Sequence, residues 1–306
     1  MYTKLLITLD GSKTAEQVLP YARFLTSRFK KPAEILAIVD IAEMMANVSA
    51  EKAVLAYEMV QQGVRSAEVY LKQIADSFDD ANIICTVEKG RAEDVIIEAG
   101  EADTGMLITM ATHGHSGLHR WLLGSVAEKV LRATANPLLL IRAKENAKCE
   151  GEASLRSLIV PLDGSQLAAS VLPLVAGLAN QLDLEVILFR GYKTPYSVYG
   201  YAYGYFAIDV DKVAQEIKKD AHEYLEKKAE ELKNLGVGKI GCIAREGNSA
   251  EEIIKVARET RGSLMVMCSH GRSGVKRWAL GSVTESVVRH ADNPVLVLRP
   301  AIPIEG

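Results

Sequence analysis

A chain of 306 residues, 48% hydrophobic and 25% charged, is long enough for two domains, each with its own core. A net charge of −3 and a pI near 6.1 give no global field to draw nucleic acid or an anionic membrane. No apolar run reaches membrane-spanning length, and the N-terminus MYTKLLITLDGS already reads as strand and turn. Cys85, Cys149, Cys242 and Cys268 form no CxxC pair and read as reduced thiols, so a cytoplasmic protein is expected.

Taken in order, Lys4–Asp10 is a buried strand ending in a carboxylate, followed by Gly11-Ser12 and a helix over Thr14–Phe29. Ser157–Asp163, Gly164-Ser165 and a helix over Gln166–Gln181 repeat the pattern. An Asp closing such a strand either caps its own turn or faces a ligand, because open α/β sheets bind at the carboxyl ends of their strands. Glu34–Asp40 and Glu185–Gly191 are the second strands. Long helices follow near Ala50–Phe78 and Asp209–Leu235. In the second, Val213, Ile217, Ala221, Leu225 and Leu232 make a core-facing stripe without functional content. The third strands, Ile83–Val87 and Ile240–Ala244, carry Cys85 and Cys242 at matched positions, expected as small buried hydrophobes. Short helices follow at Ala92–Ala99 and Ala250–Arg258. The polar stretch AKENAKCEGEA divides the chain into 1–143, a linker over 144–154, and 155–306. Alternating short strands and helices predict an α/β fold, two tandem open-twisted five-stranded parallel sheets with helices on both faces.

The chain is organised around Ala111–Arg142, ATHGHSGLHRWLLGSVAEKVLRATANPLLLIR, which recurs as Cys268–Arg299. Between His113–Arg142 and His270–Arg299, 17 of 30 positions are identical, so the repeat sets the architecture. Ser125 with Glu128, and Ser282 with Glu285, have capping-box spacing and place a helix start after each loop. Strand, glycine-punctuated loop and helix N-terminus together suit an anion or phosphate, with N–H groups at Gly114, Gly124, Ser125 and Val126 as donors.

The spacing Ala111-x2-Gly114-x9-Gly124-Ser125, repeated as Cys268-x2-Gly271-x9-Gly281-Ser282, resembles the G-x2-G-x9-G-(S/T) nucleotide loop of the universal stress protein family in its tandem form. The resemblance spans nearly the whole chain, but Ala111 and Cys268 replace the family's first glycine. It implies strand order 3-2-1-4-5 and ATP or another adenine nucleotide as ligand, with Mg accompanying it near Asp10. The implied first site comprises Thr8, Asp10, Val39, Met110, Ala111, His113, Gly114, Gly117, Gly124, Ser125 and Val126. The second comprises Pro161, Asp163, Met267, His270, Gly271, Gly274, Gly281, Ser282 and Val283. The family holds adenine by the backbone near Val39. Arg190 is expected at the matching place in the second half, which favours the N-terminal half as the main site. The resemblance also implies pairing of the last strands across an internal pseudo-dimer, with a homodimer as a further partner arrangement.

His113, His115 and His119 become His270, Arg272 and Lys276 in the second copy, which suits phosphate better than a metal. Neither a P-loop nor a nucleophile elbow occurs. The aromatic stretch Tyr192–Phe206, with six of the eleven tyrosines, is read either as a cover over a ligand or an interface, or as a self-packed loop. The leading expectation is a stress-response protein with a regulatory adenine nucleotide. A nucleotide-free interaction module and a slow ATP hydrolase are the alternatives.

Overall fold

The computed structural model describes residues 2–41, 53–79, 82–113, 123–144, 147–194, 210–269 and 280–299. The chain divides into two compact units, Met1–Ser154 and Leu155–Gly306. In the first, β1 (Leu5–Leu9), a 3-10 turn (Ala15–Val18), α1 (Leu19–Phe29), β2 (Ala33–Val39), α2 (Ala53–Ala75), β3 (Ile83–Lys89), α3 (Ala92–Ala102), β4 (Leu107–Ala111), α4 (Ser125–Ala133) and β5 (Leu138–Ile141) follow one another. The second unit repeats them as β6 (Ser157–Pro161), α5 (Gln166–Ala169), α6 (Leu172–Leu182), β7 (Glu185–Tyr192), α7 (Val210–Asn234), β8 (Ile240–Glu246), α8 (Ser249–Glu259), β9 (Ser263–Cys268), α9 (Ser282–His290) and β10 (Val295–Leu298).

Every strand pairing within a unit is parallel, in the order β3-β2-β1-β4-β5 and again β8-β7-β6-β9-β10. Central strands covered on both faces must be apolar throughout. Leu5, Leu6, Ile7, Leu158, Ile159 and Val160 are accordingly fully buried. The edge strands β3 and β8 are only half covered, and Cys85 and Cys242 are exposed there, not buried as their sequence pattern predicts. Matched position within a strand does not fix burial when that strand lies at an edge.

The first predicted helix of each unit is broken in two. Pro20 and Pro173 sit in the first turns of α1 and α6, where the missing N–H is tolerated, and short turns precede them. Lys30 and Asp183, both at φ 49°, close these helices in the left-handed conformation. The polar stretch read as a linker is anchored to the first unit. Arg23 Nη1 donates to the carbonyls of Cys149 and Gly151, and Ala153 N donates to Pro20 O at 2.8 Å. No helix among the described residues is long and apolar enough to cross a membrane.

Candidate functional site

The strand order brings β1 beside β4, and β6 beside β9, so the loops leaving these strands converge at the switch point of each sheet. Asp10 ends β1 and organises the turn after it. Its Oδ1 accepts from Ser12 N (2.9 Å) and Ser12 Oγ (2.6 Å), and Ser12 Oγ accepts from Ala15 N (3.0 Å). Asp163, Ser165 and Ala168 reproduce all three bonds at 2.9, 2.6 and 3.0 Å. Gly11 (φ 82°) and Gly164 (φ 91°) supply the positive φ these turns need. The turn-capping role of the carboxylate is therefore built, and Asp10 still projects from an exposed position at the strand end.

At the other side of the switch point, α4 and α9 begin without a capping box. Gly124 and Gly281 are the N-caps, and neither helix has a side-chain cap. Ser125 and Ser282 are already helical. Glu128 and Glu285 turn instead to Arg132 and Arg289 one helical turn on, each at 3.0 Å. Among the described residues, no side chain caps the first-turn amides, which are the donors an anion needs. Gly124 N is not among those donors, since it gives its hydrogen to Thr112 O at 2.7 Å, as Gly281 N does to Ser269 O at 2.8 Å. The donor set thus begins at Ser125 and Ser282.

Met110 and Ala111 close β4, buried at 5% and 9% exposure. Neither Ala111 nor Cys268 has a positive φ, so replacing the family's glycine strains nothing there. Thr8 is buried and donates weakly to Thr109 O at 3.5 Å, below the strand end. His113 places Nδ1 3.0 Å from Thr112 Oγ1, and its buried Nε2 has no hydrogen-bond partner among the described residues. Burial, then the charge of Arg142, holds its pKa below the ordinary histidine value. Val126 and Pro161 are half-buried, Met267 is buried, and Val283 is exposed. Gly114, Gly117, His270, Gly271 and Gly274 lie outside the described residues, as do His115, His119, Arg272, Lys276 and most of the tyrosine-rich loop.

In the second unit the convergence is a cavity of about 660 Å³, within the usual range for a small-molecule site. Its walls are Pro161–Asp163, the end of β7 from Phe189 with Lys193 just beyond it, Met267 and Cys268, and the N-cap Gly281 with the start of α9 to Thr284. Ile217, Asp220 and Ala221 of α7 also line it. The stripe on that helix read as core alone therefore supplies a wall of the site. A crossover helix covers the strand it follows, and that is the signal the sequence pattern held.

The register corrects one assignment. Thr8 pairs with Leu36 and Pro161 with Phe189, so Arg190 occupies the place of Ala37, and Tyr192 that of Val39. Gly90 N donates to Val39 O (3.2 Å) and Gly247 N to Tyr192 O (2.9 Å), confirming the correspondence from the other neighbour. Pairing Glu34 with Glu185 by sequence is two residues out of this register. A two-residue slip keeps every side chain on its face and so leaves the hydrophobic pattern unchanged. Among the described residues, no group of three or more His, Cys, Asp or Glu side chains is arranged to hold a metal ion.

Two parallel α/β units, each with a turn-forming Asp and an uncapped helix start at its switch point, define a tandem α/β fold. The model of the universal stress protein family matches residues 1–142 and again 155–299, and the chain belongs to that family. It is similar to Universal stress protein YxiE of Bacillus subtilis, 34% identical over 148 residues, covering 46% of this chain and 97% of that one. Universal stress protein Slr1230 of Synechocystis is 23% identical and covers 96% of this chain and 99% of its own. Among solved structures, a universal stress protein from Archaeoglobus fulgidus superposes with a TM-score of 0.69 at 20% identity, covering 98% of this chain and all of that one.

Proposed function

We propose that this protein is a cytoplasmic stress-response protein that binds ATP or a related adenine nucleotide as a regulatory ligand, mainly through its first unit. The observation that carries the reading is the helix start beside the strand-end Asp, built twice with no side-chain cap among the described residues. In the first unit, phosphates meet the N–H groups of Ser125 and Val126, assisted by the Ser125 hydroxyl. Each charge-assisted bond contributes roughly 1.5–3 kcal/mol. Adenine lies against the Val39 backbone, and Asp10 receives the Mg ion that the phosphates bring.

The test is the small-molecule content of gently purified, then denatured, protein, followed by calorimetric titration with ATP. Adenine nucleotide in the extract, or saturable ATP binding by the emptied protein, is expected. An empty extract together with no binding heat at millimolar ATP would overturn the reading.

A further inference from the structure

We propose that the second unit's cleft selects a guanine nucleotide, read by Arg190 and Asp220, where the first unit takes adenine; this rests on the nucleotide-binding reading above. Arg190 and Asp220 both line the 660 Å³ cavity. Neither has a counterpart in the first unit. The strand register puts Ala37, buried and apolar, at the place of Arg190. The helices α2 and α7 share the pattern Ala67-x2-Tyr70-Leu71 and Ala221-x2-Tyr224-Leu225, with Leu71 and Leu225 both fully buried, which puts Ser66 at the place of Asp220. One cation and one carboxylate that the first unit lacks thus line one cleft.

The geometry assigns that wall to the base. Phosphate donors sit at the start of α9, which follows β9, while Arg190 lies on β7. The strand between them is β6. Two strand spacings give a separation of about 10 Å, close to the reach of a nucleotide from phosphate to base. The Arg190 guanidinium carbon lies 4.5 Å from the centre of the Tyr224 ring. Stacking engages one face of the planar group, and its N–H donors radiate in the plane.

The chemistry then discriminates between purines. Guanine offers O6 and N7, two adjacent acceptors that match an arginine fork, whereas adenine sets an amino donor beside N7 and faces donor with donor. Next to O6, guanine carries its N1 and N2 hydrogens, which a carboxylate such as Asp220 accepts. Adenine has an acceptor at N1, which repels it. The same two side chains that favour guanine therefore disfavour adenine.

The experiment is calorimetric titration of the full chain with GTP and with ATP, each with Mg, in the wild type and in Arg190→Ala, Arg190→Lys and Asp220→Asn. Thermal melts check that each variant is folded. The wild type is expected to bind GTP at one site more tightly than ATP binds there. Arg190→Ala and Asp220→Asn should each weaken GTP on the order of tenfold to a hundredfold. Arg190→Lys, which keeps the charge and loses the fork, should not restore it. ATP binding without GTP binding, or GTP affinity unchanged in all three variants, would overturn the proposal and leave the nucleotide reading standing. Binding of neither nucleotide would overturn both.

Discussion

The amide of Gly124 donates to the carbonyl of Thr112 at 2.7 Å, tying the start of α4 to the end of β4. A Cβ added at Gly124 would stand 2.9 Å from that same oxygen, and backbone cannot move aside as a flexible side chain can. Gly124→Ala is therefore expected to destabilise the first unit by roughly 1–3 kcal/mol, as overpacking does. Urea unfolding should show an earlier transition. Unchanged stability would mean that the helix start shifts freely.

The Asn-Pro pair before each last strand has a local explanation. Asn136, 3% exposed, donates through Nδ2 to Asp103 O (2.7 Å) and Met106 O (3.2 Å) and accepts from Thr134 Oγ1 (3.0 Å). Asn293 likewise donates to Ala257 O and Ser263 Oγ, each at 3.0 Å. Asn136→Ala removes both amide bonds, and although Asp103 O keeps Met106 N at 3.1 Å, the buried Met106 O loses this donor, so the change should cost roughly 1–3 kcal/mol. A loss below about 0.5 kcal/mol in denaturant titration would show that water replaces the amide.

The depressed pKa of His113 gives the first unit a pH dependence of defined sign. Burial disfavours the imidazolium, and Arg142 adds repulsion, so the unfolded chain takes up the proton at higher pH than the folded one. Stability should be constant above the ordinary histidine value of 6.5 and fall as pH drops from there towards the lower folded value. The stability difference between the wild type and His113→Gln should shrink over that window and stay flat above it. A difference independent of pH between 7.5 and 5 would contradict the assignment.

Exposure and ionisation pull apart at the edge-strand thiols. Cys85 and Cys242 are exposed, yet partial burial of the sulfur, with Asp76 near the first and Glu226 near the second, holds both pKa values above the usual thiol value. The thiolate is the reactive species, so both should label with maleimide more slowly than a free thiol at pH 7.5. Cys268, 6% exposed, should label only on unfolding. Rapid labelling of Cys268 in the native chain would contradict its burial.

Much of the fold was legible because duplication let each element be read twice, and because buried parallel strands such as Leu5–Leu9 are unbroken apolar runs. Proline in the first turns of α1 and α6 gave the true helix starts, but the polar residues before them continued the helical pattern. The site was legible as a place and less so in its parts. The carboxyl ends of β1 and β4 were found, whereas Ser125 was assigned a capping role that Gly124 holds. A serine before a helical pattern does not reveal whether its own backbone is already helical. Apolar periodicity is blind to even shifts along a strand, so only the ladder to β6 places Arg190.

Asp10 is expected to carry two separable roles. Its Oδ1 accepts from Ser12 N and Ser12 Oγ, and this chain of bonds ends at Ala15 N, so it holds the entry to the 3-10 turn. An asparagine keeps the Oδ1 acceptor and loses only the charge, whereas alanine loses both. Asp10→Asn should therefore leave stability within about 0.5 kcal/mol of wild type, and Asp10→Ala should cost about 1 kcal/mol, the usual loss for one such network. If Asp10 also receives the nucleotide's Mg ion, the two variants should weaken Mg-ATP binding alike, with little change when ATP is titrated in a chelator. Denaturant unfolding and paired titrations with and without Mg separate the outcomes. An Asp10→Asn variant with wild-type Mg-ATP affinity would confine this carboxylate to its turn.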